Sequence, residues 1–292
     1  MVDIEGVLRR QAGVISRAQA ISGGLTAAQV DRRVATGRWE VLHPGVYLAA
    51  EHEHTMEARV RAAALRAGEP ATVTGVAAAW WHGLWPQPPT TVEVTIPSRR
   101  RVRPAPGFRI RRRDLDWRDR VETRHLWVTE PALTVLEAAV ALGPRGPELL
   151  DRALQRRVRF QAVHRAHCRN LGSRGSGAAG EVLAAAADRA ASQAERLVVR
   201  LLRAAGIVGW EHGYWIGGYE ADFAFPRSRV AVEVDGWAWH VDVERFRRDR
   251  RKQNVLELAG WTVLRFTWHD LIQRPEAVIA EIGAAIAGRR TA

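Results

Sequence analysis

Four carboxylates fall at an unusual spacing between residues 219 and 235. The stretch Tyr219-Glu-Ala-Asp-Phe-Ala-Phe225 is followed by Pro226-Arg-Ser-Arg229 and then by Val230-Ala-Val-Glu-Val-Asp235. Folded as an antiparallel hairpin with residues 226–229 as its loop, Phe225 opposes Val230, Phe223 opposes Val232 and Ala221 opposes Val234 on one face. The other face then collects Ala224 with Ala231, Asp222 with Glu233, and Glu220 with Asp235. Like charges opposite one another on a sheet repel, and a buried carboxylate needs a compensating charge. Arginine is one source of that charge. A hard divalent cation, Mg²⁺ or Mn²⁺, held by Asp222 and Glu233 with waters completing its shell, is the other. Two carboxylates on adjacent strands, with a third on a preceding helix, suit the hydrolysis of a phosphodiester by a metal-activated water.

The elements that must carry these acids are readable nearby. Ser192-Gln-Ala-Glu195 has the form of a capping box opening a helix whose buried stripe is Leu197, Val198, Leu201 and Leu202, stopped by Gly206. Gly236-Trp-Ala-Trp-His240 is a turn ending in a histidine suited to acid–base work, though a histidine beside tryptophans also packs as core. A polar helix over residues 243–259 carries Asp249, Arg251, Lys252 and Asn254, and Gly260 leads into the strand Trp261–Phe266. The expected order is helix, three strands, helix, strand.

This αβββαβ string, with Glu195, Asp222, Glu233-Val-Asp235-Gly and His240, resembles the restriction-endonuclease-like PD-(D/E)XK superfamily, and within it the group related to very-short-patch (Vsr) repair endonucleases. The matching stretches are SQAERLVVRLLRAAGI, ADFAFPRSRVAVEVDGWAWH and FRRDRRKQNVLELAGWTVLRFTWHDL. The resemblance implies that Asp222 and Glu233 hold Mg²⁺, that Glu195 supports the site from its helix, and that His240 stands where the repair enzymes place an active-site histidine. The superfamily's lysine, two residues after the second acid, is here Asp235; Lys252 on the following helix is the candidate replacement.

Net charge is +12 over 292 residues, with 44 basic and 32 acidic side chains, and Lys252 is the only lysine. The basic excess lies in the front two-thirds of the chain, which favours polyanionic partners through phosphate neutralisation. Cys168 is the only cysteine, so no intramolecular disulfide forms. No apolar run long enough for a membrane span and no secretory leader is evident, and the expected location is cytoplasmic.

At the front, Ile4, Val7 and Leu8 have helical spacing, Ser16 can cap a short helix, and Thr26-Ala-Ala-Gln29 is a second capping box over Ala27–Thr36. Trp39–Leu42 and Val46–Leu48 around His43-Pro-Gly45 read as a small hairpin. Together they describe a winged helix-turn-helix, with Gln29, Arg32 and Arg33 on the helix that would enter the major groove of double-stranded DNA and Arg38 on phosphate. The segment VISRAQAISGGLTAAQVDRRVATGRWEVLHPGVYLAA resembles the winged-helix domain of AbiEi antitoxins, which implies transcriptional regulation and a cognate toxin as partner.

Helices are expected over 55–68, 71–81, 130–142 and 147–160, and strands over Thr91–Ile96 and Phe108–Arg113, the two strands forming a hairpin edge. Eight arginines between Arg99 and Arg113, with Arg99, Arg100 and Arg101 foremost, are candidates for phosphate contact or a solvated edge. Leu171–Gly180 reads as a glycine- and serine-rich linker. The fold class expected is α/β overall: a winged helix-turn-helix over 1–50, an α+β middle domain over 51–170, a linker and helix over 171–191, and an endonuclease-like αβββαβ domain over 192–292.

Overall fold

The computed structural model describes residues 3–103, 105–235 and 243–288. It divides into two compact units: Met1–Val158 with Arg165–Val182, and Arg159–His164 with Leu183–Ala292. Among the described residues no helix is long and apolar enough to cross a membrane.

The first unit opens with α1 (Ile4–Arg10), β1 (Val14–Ser16), α2 (Arg17–Ser22), α3 (Ala27–Ala35), β2 (Trp39–His43) and β3 (Val46–Ala49), the strands pairing in the order β1-β3-β2. Both expected caps form: the Ser16 and Thr26 hydroxyls accept from the backbone N–H of Gln19 and Gln29, whose side chains accept from Ser16 and Thr26 N–H in return. Val7, Leu8, Ile15, Ala20, Val30, Trp39 and Tyr47 close a core between the helices and the wing. Arg17 grips Asp31 through both carboxylate oxygens, at 2.6 and 3.1 Å, and so ties α2 to α3. This is a winged helix-turn-helix.

A five-stranded sheet follows, built from α4 (Met56–Ala67), β4 (Thr72–Thr74), α5 (Gly75–Trp81), β5 (Val92–Ile96), β6 (Phe108–Arg112), β7 (Arg120–Thr123), β8 (Leu126–Thr129), α6 (Pro131–Leu142), α7 (Gly146–Arg156) and α8 (Phe160–Arg169), in strand order β6-β5-β4-β8-β7. Two expectations change here. The segment 71–81 is not one helix, because the β-branched run Thr72-Val73-Thr74 forms β4 before Gly75, at φ +63°, turns the chain into α5. Nor are β5 and β6 a hairpin: they run parallel, Val92 beside Phe108 and Ile96 beside Arg112, which leaves β6 an edge strand.

The second unit is built on α9 (Ser176–Ala204), β9 (Glu211–Ile216), β10 (Tyr219–Phe225), β11 (Val230–Asp235), α10 (Val243–Leu258), β12 (Thr262–Thr267), α11 (Trp268–Gln273) and α12 (Pro275–Gly288). Its sheet runs β12-β11-β10-β9, with β11 and β12 parallel and the other pairs antiparallel. Phe223, Phe225, Val232, Val234 and Phe266 bury one face against α9 and α12, while Ala221, Ala231, Ile216 and Leu256 form a smaller cluster that includes α10. The linker read into 171–180 ends early, because α9 begins at Ser176 and runs unbroken through Ser192. Ser192 and Glu195 are therefore interior helix residues and not a cap; the alanine-rich 184–191 sustains the helix from its N-terminal glycines onward.

Candidate functional site

The hairpin register matches the sequence expectation at its apolar end, where Phe225 faces Val230, Ala224 faces Ala231 and Phe223 faces Val232. It then breaks. The pairing with β11 stops at Phe223, and Ala221 packs in the cluster with Ala231 and Ile216 and not with Phe223 and Val234, so the alternation of faces is interrupted at Asp222. Asp222 is also skipped in the pairing with β9, where Ala221 faces Tyr214 and Phe223 faces His212. Gly213, directly opposite at φ +67°, is skipped with it, so one rung of the ladder is missing while the register of β10 with β9 is unchanged on either side. The Asp222 carboxylate accepts the Val234 backbone N–H at 2.7 Å.

The acids predicted to meet are electrostatically coupled. Burial, with the Glu233 charge next and Glu195 as a smaller contributor, pushes the Asp222 carboxyl up to about 6, against the lowering effects of the Val234 N–H and Lys252. Glu233 is 5 % exposed. Its Oε2 receives Lys252 Nζ at 2.5 Å, while its Oε1 is buried and has no hydrogen-bond partner among the described residues. In the parallel pairing β12 sets Arg265 beside Glu233. Lys252 thus reaches the acids from α10, the position the sequence offers in place of a lysine at 235. The backbone of Asp235 ends β11 beside Thr267, while His240 lies outside the described residues.

Glu195 stands on α9 and its Oε2 lies 3.0 Å from His212 Nε2 on β9, with the His212 ring set edge-on to Phe223 at 5.0 Å. Sequence reasoning passed over His212. The alternation in Glu211-His-Gly-Tyr-Trp-Ile216 marks a strand, but nothing in it says that α9 lies above that strand. His212, Glu195, Asp222, Glu233 and Lys252 therefore form a series of three carboxylates with a basic side chain at each end.

These residues fit a hard divalent cation. An orphaned buried carboxylate oxygen beside a second carboxylate whose ionised form is disfavoured is an arrangement a cation relieves. Among the described residues no group of three His, Cys, Asp or Glu side chains is poised as a ready metal cluster, so water would have to complete the shell.

The basic side chains of the first unit divide into two classes. Arg32 and Arg38 are exposed, and Arg33 is half-buried, its guanidinium over the Trp39 ring at 5.5 Å with Nη1 donating to the Gln29 carbonyl at 3.4 Å. Gln29 is exposed, but its Oε1 is held by the Thr26 N–H at 2.8 Å, leaving only its amide nitrogen for a ligand. Arg99 and Arg101 are exposed, whereas Arg100 is committed to the carbonyls of Gly68 and Glu69 at the end of α4. Arg111 and Arg113 are likewise internal, both paired with the buried Glu137 of α6. Arg100 is less available to phosphate than Arg99 and Arg101, because its Nη1 donates to two backbone carbonyls.

Two family models match the chain, and they match where the geometry would place them. A model named REase_MTES_1575 covers residues 195–286, and the model of the AbiEi antitoxin, a transcriptional regulator, covers residues 4–50. The chain joins an AbiEi antitoxin domain to a restriction-endonuclease-like domain. Asp222, Glu233 and Lys252 all lie within the endonuclease-like match, and α1 through β3 fill the AbiEi match. Along most of its length the chain is 29 % identical to the uncharacterized protein Rv2248 of Mycobacterium tuberculosis, over 265 residues covering 88 % of this chain and 96 % of the relative. It is 41 % identical over 66 residues to the uncharacterized protein YcjD of Escherichia coli, covering 23 % of this chain and 53 % of that one. A similar solved structure is the catalytic domain of the homing endonuclease I-Bth0305I, at 24 % identity and a TM-score of 0.29, covering 32 % of this chain and 94 % of the domain.

Proposed function

We propose that the chain is a DNA-binding protein whose endonuclease-like domain, of Vsr type within the PD-(D/E)XK group, hydrolyses phosphodiester bonds with Mg²⁺ or Mn²⁺. The carrying observation is Glu233, a buried carboxylate with one oxygen on Lys252 and the other lacking a partner among the described residues, electrostatically coupled to Asp222. Asp222 and Glu233 would hold the cation, which supplies a polarised phosphate and an acidified water at neutral pH. Lys252 balances Glu233 and offers an ammonium to the developing phosphate charge. Glu195, anchored by His212, adds negative potential beside Asp222 and so disfavours its ionisation until a cation arrives. Roles for Asp235 and His240 belong to the same proposal.

The AbiEi domain would hold double-stranded DNA, with α3 presenting Arg32, Arg33 and the Gln29 amide nitrogen to the major groove and Arg38 contacting phosphate, while Arg99 and Arg101, beyond that domain, would add further phosphate contacts. A second reading has its own observation. The lysine expected two residues after Glu233 is Asp235, and an AbiEi domain is present, so the alternative is an antitoxin or transcriptional regulator, paired with a cognate toxin, whose nuclease fold is catalytically degenerate.

Supercoiled and mismatched DNA incubated with the purified chain and Mg²⁺ or Mn²⁺ separates the two. The nuclease reading expects nicking or linearisation that is absent from Asp222→Ala. Cleavage by both proteins alike, or by neither, removes that reading; DNA binding without cleavage supports the regulator.

A further inference from the structure

Glu195 and Glu233 are held in the same way on either side of Asp222. Glu233 gives Oε2 to Lys252 and keeps Oε1 without a partner among the described residues. Glu195 gives Oε2 to His212 Nε2 at 3.0 Å, and its Oε1 makes no hydrogen bond or ion pair with a described residue. An ionised carboxylate only accepts, so the His212 ring is the donor of that bond. The Glu195 charge is felt at Asp222, where it opposes ionisation. Each flanking acid is thus fixed by one oxygen and open at the other.

The strand β9 is shaped to deliver this histidine. Strict alternation would put His212, Tyr214 and Ile216 on one face. Tyr214 and Ile216 do share a cluster with Ala221 and Ala231, whereas His212 sits edge-on to the buried Phe223, which packs with α9 on the opposite face. Gly213, between them, has φ +67°, a conformation that favours glycine, and Glu220 Oε1 lies 2.8 Å from where a Cβ would stand. That turn sends the imidazole to α9 and to the carboxylate there. Folding stability does not explain the arrangement, because side chains 53 % and 31 % exposed form a surface pair, and such pairs contribute little.

We propose that His212 is a positioning residue of the cation site: by fixing one oxygen of Glu195 it presents the other to the ion's water shell, and so makes Glu195 the third oxygen-donor group beside Asp222 and Glu233. The inference rests on the reading of Asp222 and Glu233 as cation ligands. Side chains that hold a ligating group by its far atom govern metal affinity, and losing one typically weakens binding about 10–100-fold.

The test is calorimetric titration of the full chain with Mn²⁺ in the absence of DNA, so that no outcome depends on cleavage. His212→Ala is expected to weaken Mn²⁺ binding about tenfold or more, while the metal-free protein melts as the wild type does. His212→Gln, whose amide can donate to Glu195, is expected to recover most of the loss. Combining His212→Ala with Glu195→Gln is expected to weaken binding no further than Glu195→Gln alone, because His212 acts through that carboxylate. If His212→Ala melts early, recovery of affinity by His212→Gln decides. His212→Ala binding Mn²⁺ like the wild type overturns the inference and leaves Asp222 and Glu233 as the ligands. Additive losses in the double variant overturn it too, since His212 would then act independently of Glu195, and so does a His212→Gln chain that recovers nothing. Absence of Mn²⁺ binding in the wild type, or binding that survives Asp222→Ala, removes the cation reading and this inference with it.

Discussion

Asp222 carries a cost in the absence of a cation. Its folded value of about 6 lies above the ordinary 3.8, so the folded chain holds this proton more tightly than the unfolded chain. Stability from the group is then complete below the unfolded value and is lost as pH rises through the folded one. Asp222→Asn keeps an oxygen for the Val234 N–H and removes the charge. It is expected to stabilise the metal-free protein near pH 7.5 by about 1–2 kcal/mol in urea denaturation, and to abolish any rise in melting temperature on adding Mn²⁺. Lys252→Met is expected to act in the opposite direction, destabilising by about 3 kcal/mol, because it leaves Glu233 buried without its cation; adding Glu233→Gln should recover most of that loss. That Asp222 and Glu233 come close enough to couple was legible in the sequence, since the hairpin register at Phe225 and Val230 follows from the chain itself. His212 was not, because its partner Glu195 arrives from α9 and only packing brings them together.

Among the elements, the two capping boxes in the front region and the one read at Ser192 look alike on paper and behave differently in the fold. Thr26 sits where α3 has orphan N–H groups, and its side chain satisfies one of them. Ser192 sits inside α9, whose N–H groups are already bonded. Thr26→Ala is therefore expected to cost about 1 kcal/mol, and Ser192→Ala to change stability by less than about 0.5 kcal/mol, both read by thermal or chemical melting. A loss at Ser192 as large as that at Thr26 would mean a helix break near residue 192. The missing rung at Asp222 escaped the sequence for a related reason. A strict period was assumed through Ala221, whereas the chain gives up one rung of the ladder to let the carboxylate reach across to Val234. The parallel pairing of β5 with β6 was equally hidden, since alternation fixes which face a residue takes but not the direction of the neighbouring strand.

For the whole molecule, the surplus of positive charge separates into residues that hold the fold and residues free to meet a polyanion. Arg100, Arg111 and Arg113 belong to the first group, and Arg32, Arg38, Arg99 and Arg101 to the second. Replacing Arg99 or Arg101 by Ala is expected to reduce the slope of log affinity for DNA against log salt by about 0.9 each, with little change in melting. Arg100→Ala is expected to lower the melting temperature and leave that slope unchanged; a lowered slope there would return Arg100 to the DNA-contacting set. Composition announced the surplus but not its division, which depends on carbonyls and carboxylates distant in the chain. The same scarcity that makes Lys252 conspicuous gives the protein a built-in reporter. It is the sole lysine, so an amine-directed label or a lysine-specific protease has one internal target, and that target is engaged with Glu233. Slow labelling of the native chain, accelerated by any ligand that draws Glu233 away, would convert occupancy of the carboxylate site into a single mass shift.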